Sequence, residues 1–149
     1  MSAAESLSPQ ALAEACARAM WDEDNATRHL GMELVSVAPG KATIAMTVAA
    51  TMTNGHGTCH GGYIFTLADS AFAFACNTYD VATVAASCDI VFVAPTRSGD
   101  VLEATAAERH RAGRRGVYDV TVTRGSPPEV VAEFRGISQA TREPVLRQP

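Results

Sequence analysis

The chain has 149 residues, a formal net charge of −4, 47% hydrophobic residues and 19% charged residues. That length and balance fit one globular domain with a real core and exclude a disordered chain. The acidic balance argues against nucleic acid as the main partner, because phosphate binding needs a basic surface.

Ser8-Pro9 is a helix start, a capping hydroxyl followed by a proline suited to the first helical position. Ala11, Leu12, Ala15, Cys16, Ala19 and Met20 recur at three-to-four spacing, so residues 9–22 read as an amphipathic helix. Residues 31–38 read as a strand, Pro39-Gly40 as a turn, and KATIAMTVA as a second strand. A Gly/Thr/Asn/His loop over 51–60 leads to an apolar, Ala-rich run over 61–77, which predicts a helix buried on most sides. Four β-rich runs follow: VATVAASCDIVFVAP, DVLEATAAERHR, GVYDVTVTR and EVVAEFRGISQAT. Turn signals separate them, so antiparallel neighbours are expected. The polar tail from Arg142, with two prolines, is expected to fray. The order helix, two strands, loop, buried helix, four strands fits one antiparallel sheet wrapped around one helix, an α+β architecture in a single domain over 1–149. Edge strands of such a sheet are usually managed by pairing with another subunit.

Cys16, Cys59, Cys76 and Cys88 are widely spaced and read as reduced thiols, which predicts a cytoplasmic protein. The N-terminus, MSAAESLSPQ, lacks the basic segment and apolar core of a signal peptide, and no run is long and apolar enough to span a membrane.

Asp69 is the strongest single signal. A carboxylate in an apolar run is costly to desolvate unless paired, and no cation lies within two helical turns of it. It either lies on a narrow polar stripe with Thr66, Ser70 and Asn77, facing water or a subunit boundary, or serves as a catalytic base or nucleophile. Gly61-Gly62 opens the helix. Free N–H groups there suit an oxyanion, although a glycine pair can also be a sterically required turn. Gly61 and Asp69 are eight residues apart, roughly 12 Å at about 1.5 Å rise per residue. One carbonyl needs its donors and its nucleophile within about 3 to 3.5 Å. Both groups can act on one carbonyl only if two copies of the helix pack antiparallel, so that Gly61 of one chain meets Asp69 of the other. His56, Cys59 and His60 supply possible metal ligands, but adjacent Cys59-His60 is not a usual zinc pairing and no second ligand cluster follows. ERHRAGRRGVYD places Arg109, Arg111, Arg114 and Arg115 around a hairpin, either a phosphate site or a solvated turn.

The stretch from Asn54 to Asn77, N-G-H-x-x-C-H-G-G-x-x-F-x-L-A-D-x-A-F-A-x-A-C-N, resembles the signature of the phenylacetate-degradation acyl-CoA thioesterases of the hotdog-fold superfamily. The likeness runs over roughly residues 25 to 140. It implies a hotdog fold and hydrolysis of acyl-CoA thioesters, with phenylacetyl-CoA and hydroxyphenylacetyl-CoA as substrates. By the same resemblance Asp69 is the catalytic carboxylate, and the Gly61 N–H polarises the thioester carbonyl. Asn54 lies near the thioester and the attacking water, and His60 orients the thioester. Gly62, Ser70 and Tyr63 support substrate binding, with Phe65 near the acyl pocket. Arg111, Arg114 and Arg115 are expected at the CoA phosphates. The resemblance further implies neither metal nor organic cofactor, and a tetramer built from dimers with sites across the interface. A broader thioesterase for medium-chain or aromatic acyl-CoAs is a second reading, and a non-catalytic acyl-CoA sensor a third.

Overall fold

The computed structural model describes residues 6–147. The first five residues, half of the stretch read as lacking a signal peptide, lie outside the described residues. So do residues 148–149 of the tail. Helix α1 spans Pro9–Glu23 and is capped by the Ser8 hydroxyl, which accepts the Ala11 N–H at 3.2 Å. Its buried stripe runs through Ala13, Cys16 and Ala17, with Met20 and Trp21 also packed on the core, rather than along Ala11, Ala15 and Ala19. A short helix not anticipated from the sequence, α2 (Asn25–His29), follows at once. Asp24 ends α1 and caps α2 through its carboxylate, which accepts the Thr27 N–H at 3.1 Å.

Strands β1 (Glu33–Ala38) and β2 (Lys41–Thr47) form a hairpin, and a 3-10 turn at Ala50–Met52 leads to the loop. Helix α3 spans Gly61–Cys76, followed by β3 (Thr83–Phe92), β4 (Val101–Ala112), β5 (Arg115–Arg124) and β6 (Glu129–Ala140). The six strands form one antiparallel sheet in the order β1-β2-β4-β5-β6-β3. β4, β5 and β6 are neighbours, as expected from their short connections. β3 and β4 are not. The chain crosses from one edge of the sheet to its interior between them, so β3 pairs with β6 and leaves its other edge open.

Helix α3 packs against all six strands. Ile64, Leu67, Ala68, Ala71, Phe72, Phe74 and Ala75 enter the core from the helix, and Ile44, Met46, Leu102, Val120, Val122 and Phe134 meet them from the sheet. Gly136 lets the Phe72 ring press on β6, since a Cβ there would sit 2.7 Å from the ring. This is the hotdog arrangement, a sheet wrapped around one helix. The side of α3 that the sheet does not cover carries Gly62, Thr66, Asp69, Ser70 and Ala73, none of them fully buried. The tail differs from the expectation of fraying. The Glu143 carbonyl accepts the Ala82 N–H at 2.8 Å, and Asp80 Oδ1 accepts the Leu146 N–H at 2.7 Å. These bonds tie the chain down through Leu146.

Candidate active site

Helix α3 begins where the loop stops. The His60 N–H donates to the Met52 carbonyl at 2.8 Å and the Cys59 N–H to the Thr96 carbonyl at 2.8 Å, so two backbone bonds fix the entry. His60 is the N-cap, and its Nδ1 accepts the Gly62 N–H at 3.0 Å. Nδ1 is the acceptor here, so a neutral ring carries its proton on Nε2. The Tyr63 N–H turns back to the His60 carbonyl at 3.0 Å. Of the glycine pair, Gly62 is therefore spent on the cap, and among the described residues nothing accepts the Gly61 N–H. A Cβ on Gly61 would lie 2.8 Å from Cζ of Phe92, so a side chain there has to push that half-exposed ring aside. Beside Gly61 opens a cavity of about 380 Å³, lined by Cys59, Ile64, Phe92 and the run from Val93 to Thr96.

Asn54 organises the loop. Its Oδ1 accepts the His56 N–H at 2.9 Å and the Thr58 N–H at 3.3 Å, and its Nδ2 donates to the Thr58 hydroxyl at 3.0 Å. The side chain acts first on its own backbone, an Asx-type turn. His56 and His60 are exposed while Cys59 is buried, and among the described residues no three His, Cys, Asp or Glu side chains gather as a metal site.

Asp69 lies two turns along α3, half-buried on the uncovered stripe. Among the described residues no cation acts on it. Burial raises its carboxyl pKa, and the Cys88 thiol of β3, which donates to Oδ1 at 3.9 Å, opposes that rise. Its hydroxyl neighbours do not help: Thr66 donates to the Gly62 carbonyl at 2.8 Å and Ser70 to the Thr66 carbonyl at 2.7 Å. Ser70 thus satisfies the helix backbone rather than the carboxylate. Cys88 and Phe92 are the neighbours that the sequence did not single out. Both lie on β3, and the cue would have been its inward alternation of Cys88, Ile90 and Phe92.

The arginine hairpin stands at the other end of α3. Arg111 stacks over the Tyr79 ring, 3.6 Å from its centre, and pairs with Glu108 at 3.9 Å. Glu108 Oε2 also accepts the Tyr79 hydroxyl at 2.7 Å and the Tyr118 hydroxyl at 3.0 Å, and the Tyr79 pKa is pushed up to about 12, by burial first and then by this carboxylate. Arg114 Nε donates to the Ala140 carbonyl at 3.0 Å. These arginines, with Arg115, line a cavity of about 200 Å³ next to Cys76. Within one chain the structure does not bring them to Gly61, since α3 is roughly 24 Å long at about 1.5 Å per residue. Tyr63 packs at the edge of the core and meets His60 edge-on, whereas Phe65 turns inward against Phe134. Phe65 is partly buried against the core and does not line the cavity beside Gly61.

The family model described as thioesterase superfamily matches residues 56–131. The acyl-coenzyme A thioesterase PaaI of Escherichia coli is 46% identical over 122 residues, covering 82% of this chain and 86% of that protein. Human acyl-coenzyme A thioesterase 13 is 32% identical over 121 residues, 79% of this chain and 86% of that one. The solved structure of the E. coli PaaI protein from the phenylacetic acid degradation operon superposes with a TM-score of 0.90 at 42% identity, over 92% of this chain and 99% of that one. A Streptococcus mutans protein solved with acetyl CoA bound superposes at 0.71 and 27% identity, over 75% and 90% of the two chains.

Proposed function

The chain belongs to the thioesterase superfamily, and on that premise we propose that it hydrolyses acyl-CoA thioesters to the free acid and CoA, working as one domain. The observation that carries this reading is an uncompensated carboxylate and a free N–H on one helix, Asp69 and Gly61, eight residues apart. The N–H at the helix start stabilises the oxyanion that forms as the thioester carbonyl is attacked. The Asp69 carboxylate delivers the attack, directly or by taking a proton from water. His60 offers its Nε2–H toward the substrate, and Asn54 holds the loop that shapes the entry.

The two groups cannot meet within one chain, so the site is built by two copies with antiparallel α3 helices. The open edge of β3 supports such pairing, since Val84, Val91 and Phe92 on it are more than half exposed. In that arrangement the C-terminal end of the second copy's α3 lies outside the Gly61 of the first, by roughly 10 Å for seven residues. The arginine hairpin of the second copy then stands where CoA phosphates leave the site, and its Arg111, Arg114 and Arg115 receive them. Two such dimers make the tetramer. The name of the E. coli relative and the operon of its solved structure favour phenylacetyl-CoA and ring-hydroxylated phenylacetyl-CoA as substrates. Four free thiols fit a cytoplasmic protein.

A subunit-mixing experiment tests the shared site. Gly61→Pro removes the N–H at a position where proline suits the helix start. Co-refolding Asp69→Asn and Gly61→Pro chains, each inactive alone, regenerates one intact site per mixed dimer. Random pairing then restores about a quarter of wild-type turnover of phenylacetyl-CoA. A mixture as inactive as its parents, although mixed dimers form, rules out the shared site. A panel of acyl-CoAs run alongside reads the acyl preference. Medium-chain acyl-CoAs turned over as well as phenylacetyl-CoA would favour the broader thioesterase.

A further inference from the structure

Among the described residues the Asp69 carboxylate has one side-chain hydrogen-bond partner, the Cys88 thiol on the edge strand β3, 3.9 Å from Oδ1. Three features of the fold aim that thiol. Asn77, the residue that ends α3, donates from Nδ2 to the Thr83 carbonyl at 2.9 Å and accepts the Thr83 N–H on Oδ1 at 2.8 Å, which pins the start of β3 to the end of the helix. A bulge between Ala85 and Ser87 then shifts the register. Beyond it Cys88 pairs with Gly136 on β6, and Cys88 turns toward α3 while its neighbours Ser87 and Asp89 are exposed.

We infer that Cys88 is a positioning residue for the reaction: its S–H holds Oδ1 of Asp69 and leaves Oδ2 to face the substrate. This rests on Asp69 being the catalytic carboxylate. The thiol is suited to donate and not to attack. Burial raises its pKa, and the adjoining Asp69 charge raises it further, so it stays S–H where a nucleophilic cysteine must ionise. The titratable groups that interact with Asp69 among the described residues are Cys88 on β3 and Cys76 at the far end of α3. The other strands packed on the helix send no charged group to it. A donor to a carboxylate favours the ionised form, so losing it moves the acid limb of the rate profile to higher pH.

The test is the pH profile of kcat for phenylacetyl-CoA with full-length wild type, Cys88→Ala, Cys88→Ser and Asp69→Asn. It is run with a 13C carboxyl NMR titration in which Asp69→Asn identifies the Asp69 signal. Cys88→Ala is expected to lose about two- to tenfold on the acid limb, the worth of one weak donor. Its Asp69 signal titrates at higher pH than in wild type. Cys88→Ser, which restores a donor, returns both readouts to wild type or beyond. If Asp69→Asn is inactive while Cys88→Ala and wild type share one profile and one carboxyl titration, the positioning role is wrong and the functional reading stands. If Cys88→Ala titrates at lower pH, water has replaced the thiol as the better partner and the role is again wrong. An active Asp69→Asn overturns the functional reading and the role together. Should Cys88→Ala fold poorly, the comparison of Cys88→Ser with wild type decides: a Ser variant whose limb lies at higher pH than wild type overturns the proposal.

Discussion

Asp119 lies on the outer face of the sheet, where Arg135 holds both of its oxygens, at 2.7 and 2.9 Å, and Arg109 approaches to 3.4 Å. Its carboxyl pKa is lowered, first by the Arg135 hydrogen bonds. Asp69 lies on the uncovered stripe of α3 with a weak thiol donor and no cation, and burial raises its pKa. A hollow of about 630 Å³, wider than the one beside Gly61, adjoins Asp119 and not Asp69. Size alone would place the chemistry on the outer face. The charge balance favours the helix. At Asp119 the polar atoms already satisfy one another, so a ligand has to break ion pairs to bind. At Asp69 the carboxylate is short of partners, and an incoming water or carbonyl gains what the protein withholds.

Activity is where the contrast should be widest. Asp69→Asn keeps the shape and removes the base, so kcat for acyl-CoA hydrolysis is expected to fall by about 10² to 10⁴-fold. Turnover within a few-fold of wild type by that variant would erase the distinction between the two carboxylates. Gly61→Pro comes next, with an expected loss of about 10² to 10³-fold for one oxyanion donor. Its thermal midpoint should move little, because the new ring meets only the half-exposed Phe92 side chain. A large drop in that midpoint would mean that Gly61 serves packing more than catalysis.

The part of this contrast written in the sequence is the helix. Asp69 stood out because an Ala-rich run over 61–77, apolar nearly all round, admits few charges, and the strands alternated clearly enough to be found. The position of β3 was hidden. Nothing in its residues says that the chain crosses the sheet after Phe92, because that depends on which edge is free once β4, β5 and β6 have paired. Cys88 was hidden for the same reason: a bulge between Ala85 and Ser87 decides which way it points, and a bulge is a property of pairing. Helix α2 escaped because five residues carry too little periodicity, although Asp24 three residues before Thr27 is a capping signal. The tail was misread because its polar residues were judged by composition, whereas its backbone bonds to Asp80 and Ala82 were not visible in sequence.

Stability should separate the same two residues in opposite directions. Asp69 has a folded pKa raised above its unfolded value, so the native state binds more protons between the two. Stability is therefore lost as pH rises from about 3.9, the unfolded value, through the folded pKa, and the deficit persists at neutral pH. Asp69→Asn is neutral at every pH, and should melt above wild type at pH 7 and level with it near pH 3. Thermal melts across that range check it, and a variant less stable than wild type at pH 7 would mean that the carboxylate has a stabilising partner after all.

Asp119→Asn is the smallest effect and the sharpest control. Its folded pKa is lowered, so its contribution is complete above the unfolded value of about 3.9 and is lost as pH falls through the folded one. The variant should therefore be less stable than wild type at pH 7 and converge with it in acid, the reverse of Asp69→Asn. The magnitude is modest. Arg135 is 60% exposed and Asp119 33%, so solvent screens the pair and about 0.2 to 1 kcal/mol is expected. Half-molar salt should shrink it further, whereas the Asp69→Asn gain, which comes from desolvation and not from an ion pair, should survive the same salt. Turnover of phenylacetyl-CoA by Asp119→Asn should match wild type within about twofold, because the sheet separates it from the helix stripe and it reaches the substrate only through long-range fields that salt screens.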